Sequence, residues 1–215
     1  MDSAIDFIFK ISILIFSVVI HEVSHGYAAL ALGDRTAQYA GRLTLNPIPH
    51  IDPFGSILLP LLLYYTGAGV LFGWAKPVPY NPLYLRNQKW GPALVGAAGP
   101  GVNLLIAVFF AMIIRFAPAA AASAAAGIFA ENFIGIAAGI AFLNLALALF
   151  NLVPIPPLDG SKVLFAILPW QWRSVQMFLE QYGFFVLLLF VFFFLPYLSR
   201  AAYFAFRLLT GVSLF

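Results

Sequence analysis

The sequence has 215 residues, of which 63% are hydrophobic and only 9% are charged, whereas about a quarter of the residues in a soluble domain are charged. This balance excludes a soluble globular protein and predicts an all-α, polytopic membrane protein with one membrane-embedded domain over residues 1–215. There is no cysteine, which excludes disulfides and thiolate metal sites. The formal charge of +3 comes from cations scattered at the ends of apolar segments, a distribution that favours membrane topology over nucleic-acid binding.

The first apolar segment, residues 5–32, predicts one long helix that ends at Gly33 and Asp34. Residues 35–46 are shorter and more polar in pattern and predict a small β-hairpin. Residues 54–75 are apolar again, but a proline and several glycines divide them into two halves, each too short to cross a bilayer.

The charges of the loops favour one path for residues 54–75. Cytoplasmic loops hold an excess of Lys and Arg. If the segment dips into the membrane and returns, seven cations share one face and four the other; if it crosses, the split becomes five to six. The distribution therefore predicts a re-entrant segment, and a re-entrant backbone must lie beside a site rather than against lipid.

The rest of the chain predicts three further spans. Residues 76–90 are rich in proline and cations and predict a loop at the membrane surface, followed by a span over residues 92–115. Residues 118–130 predict a connection, and residues 132–152 a third span that ends in a proline-rich break. The last predicted span covers about residues 182–206 and is kinked or interrupted at Pro196.

The first helix contains the sequence His21-Glu22-Val23-Ser24-His25, an HExxH motif. Four residues turn a helix by about 400°, so both imidazoles share one face, and Glu22 stands beside that face. Ionisable groups are costly inside a span and need a partner, which a divalent cation provides. The motif thus predicts a zinc site with His21 and His25 as ligands and Glu22 as the base that takes a proton from water.

A catalytic zinc needs a third protein ligand. Most acidic residues lie near the ends of predicted helices or in connections away from the motif, and Asp52 and Asp159 remain as candidates. Asp159 follows the proline-rich break, where a helix restart would place its carboxylate in a polar niche at membrane depth. An ordinary helix-capping aspartate is the alternative.

Three ordered segments resemble the signatures of the site-2 protease family of intramembrane zinc metalloproteases: HEVSH at 21–25, AGPGVN at 98–103 and NLVPIPPLDG at 151–160. The resemblance implies Asp159 as the third zinc ligand, Glu22 as the base and an active site nearer the cytoplasmic face. Two more segments, residues 46–55 and 73–79, resemble a compact subgroup of this family that lacks additional regulatory domains.

Three further polar residues are candidates for binding substrate or stabilising an oxyanion. His50 and Asp52 could orient a ligand or contact substrate, with a surface histidine as the alternative for His50. Asn103 offers amide donors to a scissile carbonyl, with contact between helices as its alternative.

The sequence therefore predicts a multi-pass protease of the plasma (inner) membrane with one Zn²⁺ per chain and transmembrane proteins as substrates. Two other functions are compatible with the same residues. One is a zinc-binding transporter or channel, since His and Asp also line ion pathways; the other is an inert relative that binds membrane helices.

Overall fold

Helices form all of the regular structure in the described part of the chain. A computed structural model describes residues 2–66, 74–116 and 127–212. Within these ranges the side chains of residues 2–7 and 127–131 are not described. The α-helices are α1 (Asp2–Ala31), α2 (Thr36–Tyr39), α3 (Leu59–Tyr65), α4 (Gly91–Phe116), α5 (Gly127–Asn151), α6 (Gly160–Ile167) and α7 (Arg173–Thr210). Short 3-10 turns occur at Ile48–His50, Pro82–Tyr84 and Trp170–Trp172, and a π-helical turn at Pro53–Leu58.

Four helices in the described part of the chain are long and apolar enough to cross a membrane: Ile8–Ala31, Gly91–Phe116, Asn132–Asn151 and Trp170–Thr210. This confirms the predicted number of spans. The helix that carries the last span is longer than the predicted span, because α7 begins at Arg173, and it continues through Pro196 without the predicted interruption. Residues 173–181 contain neither glycine nor proline, so the helix extends beyond the apolar run that marked it in the sequence.

The β-hairpin predicted over residues 35–46 is wrong. Thr36–Tyr39 form a single helical turn, and the described residues contain no β-strand. Just before the turn, the carboxylate of Asp34 accepts hydrogen bonds from the amide and hydroxyl groups of Thr36, two residues further on, as in an Asx turn. This local contact outweighs the weak β-propensity of a polar stretch that has no partner strand.

Residues 54–75 contain short helical pieces. The π-helical turn and α3 together cover Pro53–Tyr65, which is shorter than the roughly 20 residues that a span requires. Residues 67–73 lie outside the described residues, so the re-entrant path stays a prediction. Most of the connection predicted over residues 118–130 also lies outside them, and α5 already begins at Gly127.

The chain divides into two compact units, Met1–Gly99 and Pro100–Phe215, and the single domain predicted from the sequence stays a prediction. In the first unit, Ala29, Leu85 and Val95 form a buried cluster. The second unit has a larger one, built from Ala107, Ile114, Ala137, Ala141, Leu145 and Phe206. Small residues such as these alanines let helices approach closely, which is how membrane helices gain packing energy.

Candidate metal centre

The two histidines of the HExxH motif lie together inside the first unit. His21 and His25 are 5% and 6% exposed, and their Nε2 atoms are 3.1 Å apart. Together with the carboxylate of Glu22 they form a group whose ligand atoms all lie within 4.8 Å of one another. The α-helical spacing therefore produces the shared face that the sequence predicts.

The carbonyl of Val95 fixes the orientation of the second imidazole. The Nδ1–H group of His25 donates to the oxygen of Val95, at 2.7 Å. Because the proton is on Nδ1, the lone pair on Nε2 is available to a metal, and this kind of outer contact is usual for metal-binding histidines. Val95 belongs to α4, so this helix sets the geometry of a site carried by α1.

The space in front of the imidazoles depends on a glycine of α4. A Cβ atom at Gly99 would lie 2.6 Å from Nε2 and Cε1 of His21 and from Cε1 of His25. Only glycine therefore leaves room at the edge where both Nε2 atoms face each other. Two buried imidazole nitrogens next to a cradle that one methyl group would fill fit a bound metal ion such as zinc.

Glu22 is half-buried on α1, and the amide of Val78 donates a hydrogen bond to its Oε2 atom, at 2.9 Å. Val78 lies in a segment without regular secondary structure, residues 74–81. Other bonds hold that segment: the amide of Lys76 donates to the carbonyl of His50, and the guanidinium of Arg42 donates to the carbonyls of residues 76 and 77. Glu22 is thus oriented by a braced backbone segment.

Asp159 lies in the second unit, directly before α6, and is 6% exposed. Its side chain makes no capping hydrogen bond to α6, which disfavours the alternative of an ordinary helix cap. Instead, Nζ of Lys162 lies 2.9 Å from its Oδ1 atom. Gly160 permits the tight turn here, because a Cβ atom would lie 2.2 Å from the carbonyl oxygen of Leu152. The role of Asp159 as a metal ligand stays a prediction.

The three other candidates occupy different settings. His50 is fully buried, and its Nε2–H group donates to the carbonyl of Thr44. Burial lowers the pKa of His50, and the nearby charge of Arg42 lowers it further, against the opposing effects of Thr44 and Glu22. The imidazole is therefore neutral at neutral pH.

Asp52 and Asn103 make structural contacts. The Asp52 carboxylate caps the π-helical turn by accepting bonds from the amides of Phe54 and Gly55. Asn103 is fully buried on α4 and donates to Oδ1 of Asn144 on α5, at 2.9 Å. For Asn103 this contact agrees with the alternative role, a contact between helices. The catalytic roles of Asp52 and Asn103 stay predictions.

The groups that position the candidate ligands could not all be predicted from the sequence. The carbonyl of Val95 and the amide of Val78 are backbone atoms, which leave no trace in side-chain patterns. Lys162 was detectable, because it follows Asp159 by three residues and a helix restart brings such pairs together. Gly99 lies within the recognised AGPGVN segment, but its contact with the imidazoles depends on how α4 packs.

Comparison with known proteins defines the class. The model of peptidase family M50 matches residues 9–194. The chain therefore belongs to peptidase family M50, the site-2 protease family, and is a membrane metalloprotease with several spans. This confirms the resemblance carried by the three sequence signatures.

The curated relatives have consistent names. "Putative zinc metalloprotease YwhC" of Bacillus subtilis (strain 168) is 41% identical over 177 residues, which cover 81% of this chain and 76% of YwhC. "Putative zinc metalloprotease Rip2" of Mycolicibacterium smegmatis is 34% identical over 163 residues, or 74% of this chain and 56% of Rip2. The Rip2 protein of Mycobacterium tuberculosis is 33% identical over 160 residues, with the same coverage. No solved structure matches the chain.

Proposed function

We propose that this protein is an intramembrane zinc metalloendopeptidase that hydrolyses peptide bonds in transmembrane or membrane-proximal segments, as in regulated intramembrane proteolysis. The observation that carries the proposal is the buried pair of imidazoles on a membrane-length helix, with Nε2 atoms 3.1 Å apart and a carboxylate beside them. The relatives named as zinc metalloproteases support zinc as the metal.

His21, His25 and Asp159 would hold one zinc ion per chain, two through imidazole nitrogen and one through a carboxylate oxygen. When bound, zinc would supply two effects: it lowers the pKa of a water to near neutral, and the metal ion itself polarises the scissile carbonyl. Val95 serves this site by keeping the proton of His25 on Nδ1, and Gly99 serves it by leaving space beside the ligands.

Glu22 would move the proton. Its carboxylate takes a proton from the attacking water as the new C–O bond forms, and it then protonates the amide nitrogen as the C–N bond breaks. The amide of Val78 holds one carboxylate oxygen in place, so the side chain needs little reorganisation before it acts.

The position of the site within the bilayer determines the substrate. The motif lies inside the Ile8–Ala31 span, so peptide bonds reach it within or beside the membrane. A transmembrane helix has all its backbone groups paired, so the substrate must unwind locally before it is attacked.

Residues 54–75 follow a re-entrant path in this proposal. The amide of Trp74 donates to the carbonyl of Gly55, at 3.2 Å, and the hydroxyl of Ser56 donates to the carbonyl of Trp74, at 2.8 Å. The chain thus returns at Trp74 to the point it left at Gly55. With this path the cation distribution supports an active site nearer the cytoplasmic face of the plasma membrane.

Conversion of Glu22 to glutamine tests the proposal against a zinc transporter and against an inert relative. Purified wild type and Glu22→Gln are incubated with single-span model proteins, the fragments are mapped by mass, and zinc content is measured in parallel. We expect both proteins to bind zinc and only the wild type to cleave, with activity of the variant reduced at least about 100-fold. Full activity of a zinc-loaded Glu22→Gln would contradict the proposal, and so would an inactive wild type.

A further inference from the structure

A small cavity lies against α1 about one helical turn before Glu22. Its wall on this helix is formed by four aliphatic residues, Leu14, Ile15, Val18 and Val19. Val18 and Val19 precede Glu22 by four and three residues, so all three side chains lie on neighbouring positions of one helix face. The cavity therefore begins about 5 Å along the helix from the candidate base.

The opposite wall also leads to Glu22. It includes His50, Gly55 and Trp74, and Trp74 begins the irregular segment whose Val78 amide binds the Glu22 carboxylate. The carbonyl of His50 binds this same segment through the amide of residue 76, at 2.8 Å. If the scissile bond of a substrate lies at Glu22, the side chain of an adjacent substrate residue would lie between the two walls of the cavity.

The chemistry of the cavity suits an uncharged, apolar group. Its α1 wall is entirely aliphatic. The imidazole of His50 adds no charge, since burial lowers its pKa, and its Nε2–H group is already bound to the carbonyl of Thr44. The empty space of about 300 Å³ includes the open solvent at the mouth, so the enclosed part is smaller than a small-molecule site and has room for one side chain at most.

The wall opposite α1 is fixed in place. A Cβ atom at Gly55 would lie 2.3 Å from the indole of Trp74, so the ring lies directly on the glycine backbone. The backbone of Trp74 is bound on both sides, by the carbonyl of Gly55 and the hydroxyl of Ser56. The size of the side chain at Val18, which faces this wall, therefore limits what can enter.

We propose that this cavity is a specificity subsite that receives one aliphatic side chain of the substrate next to the scissile bond. The inference rests on the proposed proteolytic function. It fits the depth of the cavity, because residues 15–19 lie near the middle of the Ile8–Ala31 span, where the side chains of a transmembrane substrate are predominantly apolar.

Changing the volume at Val18 in both directions tests the subsite. The probe is a single-span peptide of leucine and alanine whose cleavage site is mapped by mass, after which each flanking residue is varied among alanine, leucine and phenylalanine. For Val18→Phe we expect kcat/KM to fall about tenfold more for leucine than for alanine at one flanking position. Val18→Ala is expected to shift the preference towards phenylalanine.

Ile8→Phe is the matched control, because Ile8 lies on the same helix, is 64% exposed and does not line the cavity. It should leave the preference unchanged. Equal losses for all three side chains in the Val18 variants, or an unchanged preference, would overturn the subsite.

A binding experiment separates this inference from the proposed function. The same peptides compete for a fluorescent host peptide on Glu22→Gln and on Glu22→Gln combined with each Val18 change. A size preference in binding that follows the residue at 18 supports the subsite even if the wild type cleaves none of the peptides, which would refute the protease alone. If binding does not depend on the size of the varied side chain, or if no peptide binds, the proposed subsite is wrong even if cleavage and zinc binding are intact.

Discussion

At the scale of single residues, the candidate metal centre depends as much on a missing side chain as on the ligands. His21 and His25 follow from the motif, whereas the space between them exists because Gly99 brings the backbone of α4 against both rings. A buried metal site requires its ligands to be held closely in position. Any atom added at residue 99 must displace the imidazoles or fill the place of the metal.

Gly99→Ala is therefore expected to weaken zinc binding at least about 10-fold, the range seen when contacts around metal ligands are disturbed. The measurement is zinc affinity of the purified protein by competition with a chelator. Gly101→Ala is the control two residues away, where a Cβ atom meets nothing within 4 Å. Equal zinc affinities in the two variants would show that the cradle is unimportant.

At the scale of elements, a buried carboxylate joins the end of α1 to the loop before α4. Asp34 is fully buried and accepts bonds from the amide of Thr36, at 2.9 Å, and from the amide of Asn81, at 2.6 Å. Burial alone would raise the pKa of Asp34, but these bonds together with the Thr36 hydroxyl outweigh it and hold the pKa below its usual 3.8. The ionised carboxylate therefore favours the folded state.

Asp34→Ala is expected to destabilise the protein by about 1–3 kcal/mol, because two part-buried amide donors lose the buried carboxylate that accepts from them. The stabilisation by Asp34 is present above the unfolded pKa near 3.8 and is lost as pH falls through the lower folded pKa. Thermal unfolding in detergent at neutral and acidic pH measures both effects.

Asn46→Ala is the matched control, since Asn46 caps the exposed amide of Ile48 in a similar way. Asn46→Ala should lower the free energy of unfolding by no more than about 0.5 kcal/mol, as is usual for surface substitutions. If both variants unfold at the same temperature, Asp34 does not connect these elements.

At the scale of the whole molecule, the parts that could be predicted are those that the bilayer imposes. Spans follow from long apolar runs, because every backbone group in lipid must be paired within a helix. The shared face of His21 and His25 follows from helical periodicity. The hairpin prediction failed over residues 35–46, outside the spans, where one carboxylate at Asp34 determined the local structure.

The hydrogen-bond partners of the candidate substrate-binding residues Asp52 and Asn103 could not be predicted from the sequence. Sequence shows which side chains can bind a metal or a substrate, but not which backbone groups have already engaged them. Asp52 is occupied by the amides of the π-helical turn and Asn103 by Asn144. Tertiary packing decides such pairings, and a single sequence gives no signal for it.

The proposed zinc site takes its three protein ligands from His21, His25 and Asp159. X-ray absorption spectroscopy on zinc-loaded wild type and Asp159→Ala can decide whether all three bind the metal. The wild type should show two imidazole nitrogens at about 2.0–2.1 Å and carboxylate oxygen at about 2.0–2.2 Å, and the variant should lose the carboxylate oxygen and bind zinc more weakly. Identical spectra and affinities for the two proteins would contradict the assignment of Asp159.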